Sequence, residues 1–245
     1  MIEIIDLYKG FGANEVLNGV NLVITEGQAL AIIGRSGCGK SVLLKLIVGL
    51  LEPDSGTIKI EGKSIADMSQ EELYKVRQRF GFLFQGAALF DSMTVEENVA
   101  LPLIENKTNL SKSEIIKNVE EKLELVGLPG TQNLKPAELS GGMKKRVGLA
   151  RALISNPDYI LYDEPTTGLD PIMSDSIDEL IKELNEKLNV TTIVVTHDMF
   201  SVQTIAEKIA MMHEGKIYFN GTQDELLKSK DEVIINFIKR TSYDV

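Results

Sequence analysis

The fold turns on "ALAIIGRSGCGKSVLLKLIVGL", residues 29–50. Its first segment, Ala29 to Gly34, is apolar throughout and suits a strand buried on both faces of a parallel sheet. "GRSGCGKS" (34–41) then fits the pattern G-x-x-x-x-G-K-[ST], and "SVLLKLIVGL" reads as the helix behind it. A strand before and a helix after are the context this pattern requires. Gly34, Gly37 and Gly39 free successive backbone N–H groups to turn inward around an anion, and the helix N-terminus adds the positive end of its dipole. Ser36, Cys38 and Val42 complete the walls of the loop. Lys40 is expected to reach the β- and γ-phosphates of a nucleotide, and Ser41 to hold Mg²⁺. Cys38 reads as a small tolerated residue rather than a redox switch.

Working outward, "RFGFLFQ" (79–85), "YILYDE" (159–164) and "TTIVVT" (191–196) are also apolar almost throughout. Helical stretches separate them, so the alternation reads as α/β with a parallel sheet. "IEIIDLYKGF", "VNLVITEG" and "GTIKIEG" (56–62) look instead like antiparallel strands forming a layer at one edge. Past Gln85 the strand signals stop until Tyr159. Thr94 to Glu97 and Ser111 to Glu114 both fit the S/T-x-x-E capping box, and Ile115, Val119 and Leu123 then recur on one helical face. One domain is expected over 1–245, with an α/β core at about 1–86 and 157–222 and a helical subdomain at about 87–156. "QDELLKSKDEVIINFIKR" (223–240) reads as one or two amphipathic helices and "SYDV" (242–245) as a short tail.

The net charge of −10 argues against non-specific binding to nucleic acid, which needs clustered cations. Lys144, Lys145, Arg146 and Arg151 form a local basic cluster, read as the solvated face of a helix. Cys38 is the single cysteine, which excludes an internal disulfide and fits a reducing compartment, so a cytoplasmic location is expected. The opening residues have neither a basic n-region nor an apolar h-region, so no signal peptide is expected, and no run approaches the roughly 18 apolar residues of a spanning helix.

A nucleotide site of this kind also needs an acidic residue at the end of a neighbouring strand. "YILYDE" supplies two: Asp163 fits the metal-holding role, and Glu164 can act as general base on the attacking water.

The ordered set "GRSGCGKS", Gln85, "LSGGM" (139–143), "YILYDEP", "GLD" (168–170) and His197 resembles the nucleotide-binding subunit of ABC transporters over nearly the whole chain. That resemblance implies a P-loop core with an antiparallel β subdomain and a helical subdomain, binding ATP and Mg²⁺. It implies that two copies pair head to tail, with Ser140, Gly141 and Gly142 at a helix N-terminus covering the γ-phosphate held by the other copy's P-loop. Gln85 resembles the residue that touches Mg²⁺ and water beside the membrane subunit, and His197 the histidine that braces the γ-phosphate. Lys40, Gln85, Glu164 and His197 are thus the expected catalytic set. Asp170 resembles the loop crossing between sites, and Phe11 the aromatic that stacks on adenine. The signature departs at Met143, where glutamine is usual. Met143, "GKSVLLKLIVGL" and "LFQGAALFDSMTVEENVALPL" (83–103) are similar to the Mce/Mla-type lipid-trafficking branch. The expected partners are a second copy, an integral permease and an Mce-type lipid-binding protein, without nucleic acid, and the expected place is the cytoplasmic face of the inner membrane, held through the permease. The alternatives are an ABC ATPase serving another solute and one acting on DNA or the ribosome. The second of these usually brings long coiled coils or two cassettes in one chain, and neither is present in the sequence.

Overall fold

The computed structural model describes residues 1–106 and 108–241, so the "SYDV" tail lies outside the described residues. The chain begins with β1 (Ile2–Phe11), β2 (Asn14–Ile24), β3 (Ala29–Ile33), α1 (Lys40–Ile47), β4 (Ser55–Ile60), β5 (Lys63–Ser64), α2 (Gln70–Arg77) and β6 (Phe80–Leu83). Three helices follow, α3 (Val95–Glu105), α4 (Lys112–Leu125) and α5 (Gly141–Leu153). Then come β7 (Tyr159–Asp163), α6 (Pro171–Leu188), β8 (Thr191–Thr196), α7 (Met199–Ile205), β9 (Lys208–His213), β10 (Lys216–Thr222), α8 (Gln223–Leu227) and α9 (Glu232–Thr241).

Two sheets result. The smaller, in order β2-β1-β4-β5, is antiparallel throughout. The larger runs β10-β9-β3-β8-β7-β6, parallel except for the edge strand β10. Successive side chains of a strand point to opposite faces, and this assigns the cores. Leu30 and Ile32 of β3 join the core between the two sheets with Leu43, Leu44 and Ile47 of α1. Ala31 and Ile33 face the other way, onto α7, α8 and α9 through Met199, Leu226 and Ile234. Likewise Tyr159 and Leu161 of β7 face the first core, while Ile160 and Tyr162 face a third core built with α3 to α6.

The capping boxes at Thr94 and Ser111 are present, each side chain accepting from the third helical N–H while the glutamate accepts from the cap N–H. Val119 and Leu123 are fully buried and Ile115 packs against the same core. The reading of the α5 basic cluster as a solvated face is overturned in part. Lys145 is buried and Arg151 is turned onto the backbone of Ala87 and Ala88, because α5 is covered by β6 and its following loop.

Candidate functional site

The carboxyl ends of adjacent parallel strands β3, β8, β7 and β6 lie side by side, the usual place for a ligand in an open α/β sheet. From them emerge, in that order, the Gly34–Gly39 loop, His197, the Asp163–Glu164 pair and Gln85. Sequence separations of more than a hundred residues thus close to bonding distance: the Ser41 hydroxyl donates to Asp163 Oδ1 at 2.7 Å.

The loop has the backbone its glycines permit. Gly37 and Gly39 have φ of 80° and 100°, a region that L side chains rarely adopt. Gly39 caps α1 without any side-chain bond, so the first N–H groups of the helix point at the cavity. Gly34 has φ 152°, and a Cβ there would lie 2.6 Å from the Met212 carbonyl oxygen. Lys40 folds back over the loop, donating to the carbonyls of Gly34 at 2.8 Å and Arg35 at 3.2 Å. The Cys38 thiol packs against the core between the sheets, and burial pushes its pKa up, as befits a packing residue.

Glu164 is pinned on every side. Its φ is 50°, uncommon for a residue with a side chain. Its N–H donates to Val195 O at 2.8 Å, tying the end of β7 to β8. Oε2 accepts from Thr167 Oγ1 at 3.1 Å and lies 2.7 Å from His197 Nδ1. Oε1 has only the more distant Lys40 ammonium, 3.9 Å away. That oxygen keeps lone pairs to accept a proton from water, the requirement for a general base.

These groups line one cavity of about 720 Å³, which also takes in Phe11, Ser36, Val42 and Gln85. Phe11 is half exposed, with the Lys9 ammonium 5.5 Å from its ring centre, and stands free to stack on a flat ring. Gly34, Cys38 and Asp163 sit behind the lining rather than on it. Val16, Arg35, Thr167 and Phe237 also line the cavity, beyond the residues expected from the sequence. Thr167 follows Glu164 by three residues within a tight turn, a spacing that could have marked it; Val16 and Phe237 arrive only through tertiary packing.

Ser140, Gly141, Gly142 and Asp170 are not brought to this cavity. Ser140 caps α5, accepting from Met143 N–H at 3.2 Å, and Asp170 caps α6, accepting from Met173 N–H at 3.0 Å. The glycines face the next segment of the same chain, Gly141 toward Leu169 and Gly142 toward Met173.

A glycine cradle on a helix N-terminus, a lysine over it and an acidic pair on a neighbouring strand define a P-loop nucleotide-hydrolysing protein. The match to the family model described as ABC transporter, over residues 17–167, is specific, and the chain belongs to that family as an ATP-binding ATPase subunit. It is 45% identical over 242 residues to the intermembrane phospholipid transport system ATP-binding protein MlaF of Haemophilus influenzae, covering 99% of this chain and 91% of that one. It is 46% identical over 221 residues to the methionine import ATP-binding protein MetN of Rhizobium johnstonii, covering 90% of this chain but 60% of that one. Among solved structures it resembles the dimeric post-hydrolysis state of the ATP-binding cassette MJ0796 bound to ADP and Pi, with a TM-score of 0.82 and 37% identity, covering 91% of this chain and 98% of that one. Among the described residues no helix is long and apolar enough to cross a membrane.

Proposed function

We propose that the protein hydrolyses MgATP in a head-to-tail dimer to drive a membrane permease that moves phospholipids or related lipids. The observation that carries the hydrolytic reading is the Ser41–Asp163 and His197–Glu164 pairing around the P-loop. Lys40 turns from the loop carbonyls onto the β- and γ-phosphates in this reading, and the α1 N-terminus takes their charge. Glu164 Oε1 takes the proton of the attacking water, while His197 and Thr167 hold the other oxygen and so fix the carboxylate plane. Phe11 is assigned to adenine.

The residues suit Mg²⁺: a hydroxyl and a carboxylate oxygen 2.7 Å apart, with Gln85 in the same cavity, are hard donors that leave room for phosphate oxygens and water. Ser41 and Asp163 would hold it, with Gln85 beside it, and bound there the ion would neutralise charge on the β- and γ-phosphates. Ser140, Gly141 and Gly142, remote from their own P-loop, are assigned to the γ-phosphate of the partner, with Asp170 in the loop between the two sites.

For the permease, a groove of about 600 Å³ opens beside Gln85 between β6 and α3, walled by Phe80, Phe82, Phe84, Phe90 and Pro102. Phe90 and Tyr74 at its rim are half exposed. An apolar groove adjoining a catalytic loop fits a docking element whose movement must reach the nucleotide. The subunit would thereby be held at the cytoplasmic face of the inner membrane.

The lipid assignment rests on full-length correspondence: the likeness to the phospholipid-system protein spans 91% of that chain, whereas the equally identical methionine importer is matched over 60% of its length. Met143 in the signature and the 83–103 segment support the same branch, and an Mce-type lipid-binding protein is the accessory partner it implies. The test is ATP turnover of the complex purified from its native membrane, with and without phospholipid, together with identification of its subunits. Phospholipid should change the rate of the complex and leave the isolated subunit unaffected, since a ligand shifts only an equilibrium between states it binds differently. A response to an amino acid or sugar, and none to lipid, would leave only the general transport ATPase.

A further inference from the structure

Lys145 is 5% exposed, yet it carries an ammonium. Burial depresses its pKa, and the charges of Glu164 and Asp163 oppose that shift. A buried cation is costly unless it is held by acceptors. Lys145 Nζ donates to two of them, the main-chain carbonyl of Gln85 and, at 3.3 Å, that of Glu164. These residues follow the adjacent strands β6 and β7 and sit in the two loops that face the γ-phosphate end of the cavity. One side chain therefore bridges both.

The same face of α5 continues the grip. Lys145, Gly148 and Arg151 are spaced by three and lie along one side of the helix. A Cβ on Gly148 would meet Leu83 Cδ1 at 2.8 Å and Ala87 Cβ at 3.2 Å, so the glycine sits where helix, strand and loop pack closely. Arg151 donates to the carbonyls of Ala87 at 2.6 Å and Ala88 at 2.8 Å. What is gripped is strained: Ala87, Ala88 and Glu164 have φ of 59°, 48° and 50°. Left-handed backbone at residues with a side chain persists only where its surroundings over-determine it.

From this we infer that Lys145 is a positioning residue for ATP hydrolysis: by clamping the Gln85 and Glu164 carbonyls to α5, it sets the two catalytic loops relative to each other and to the signature at the N-terminus of the same helix. The inference rests on the hydrolytic reading of Gln85 and Glu164. It also gives the permease groove a rigid link to the helix that serves the opposite nucleotide.

The test is a double-mutant cycle on the full chain, measuring kcat, the ATP dissociation constant and Tm for Lys145→Met, Gln85→Ala and the pair. Methionine keeps the length and apolar stem but cannot donate. Lys145→Met should lower kcat by about tenfold or more with ATP affinity within about twofold, because the lost interaction acts on the transition state and not on the P-loop. The pair should lose less than the product of the single losses, as groups acting through one loop are non-additive. Lys145→Gln retains a donor and should recover kcat to within about threefold of wild type. A kcat for Lys145→Met within about twofold of wild type overturns the inference, as does a multiplicative pair or a loss of ATP affinity and Tm in step with kcat. If Lys145→Met does not fold, the cycle run with Lys145→Ser, whose hydroxyl is too short to reach either carbonyl, decides by the same non-additivity. Glu164→Gln is the control: retained turnover there would sink the hydrolytic reading itself, whatever Lys145 does.

Discussion

Two glycine-rich helix starts, the P-loop before α1 and the signature before α5, look alike in sequence and use their glycines differently in the fold. In the P-loop the glycines are demanded by the backbone, with φ of 152°, 80° and 100°, and the loop meets its lysine, hydroxyl and carboxylates inside one chain. In the signature Ser140 caps its own helix, and Gly141 and Gly142 are ordinary helical residues whose left-out side chains would meet only Leu169 and the end of Met173. Nothing in the fold of a single chain requires glycine at Gly142, since the flexible Met173 terminus can move aside. One glycine loop is complete within the chain, and the other is, in the proposed function, a surface for the nucleotide of a second copy.

The comparison is sharpened first at the chemistry. Glu164→Gln keeps the hydrogen bonds around the carboxyl but cannot accept a proton, so ATP should still bind while hydrolysis falls by about 10² or more in a turnover assay. A near wild-type rate would remove Glu164 from the role. The glycines are distinguished by stability. Gly34→Ala drives a Cβ to 2.6 Å from the Met212 carbonyl at a φ that alanine rarely adopts, and should cost about 2 kcal/mol in denaturant unfolding. Gly142→Ala should cost less than about 0.5 kcal/mol in the same measurement yet lower hydrolysis, because only the assembled dimer needs its open surface. Equal destabilisation by both would erase the distinction.

The last effect is read against pH and concerns the segment joining the two regions. Thr166, two residues past Glu164, lies 3.4 Å from Ser201 Oγ, which in turn donates to the buried Asp178 at 2.7 Å. Burial raises the Asp178 pKa to about 7, and its Oδ1 has no partner. The folded form thus holds a proton that the unfolded chain releases near pH 4, so this group's stabilisation is complete below about pH 4 and is lost as pH rises toward 7. Asp178→Asn cannot titrate, and its stability relative to wild type should climb by at most about 1.4 kcal/mol per pH unit between pH 5 and 7, read from Tm against pH. A pH-independent difference would show Asp178 to be ionised throughout.

The sequence disclosed most where local chemistry repeats a rule. The apolar runs at Ala29 and Tyr159, the capping boxes at Thr94 and Ser111 and the glycine loop all act through near neighbours, so their meaning is present in a few consecutive residues. Lys145 shows the opposite case. Its charge and its basic neighbours suggest solvent, and only the covering of α5 by β6 turns it inward onto two carbonyls. Val16 and Phe237 are similar, lining the cavity through packing between elements far apart in the chain. β9 and β10 carry no motif in the sequence, although β9 completes the parallel sheet beside β3. The roles proposed for Gln85 and His197 come only from family resemblance, because a glutamine at a strand end or a histidine before a helix has no chemistry of its own to announce.

The division of labour between the two glycine sites is tested most directly by particle mass with ATP. Glu164→Gln is expected to run at twice the mass of the chain when ATP is present and at the mass of the chain without it. Adding Gly141→Asp sets a carboxylate against the partner's γ-phosphate, where like charges in a desolvated site repel strongly. That double variant should remain at the mass of one chain while binding ATP within about twofold of its parent measured at a concentration too low for dimerisation, its own P-loop being intact. A double variant that still dimerises with ATP, or that loses ATP binding together with dimerisation, would contradict a signature that serves the other chain's nucleotide.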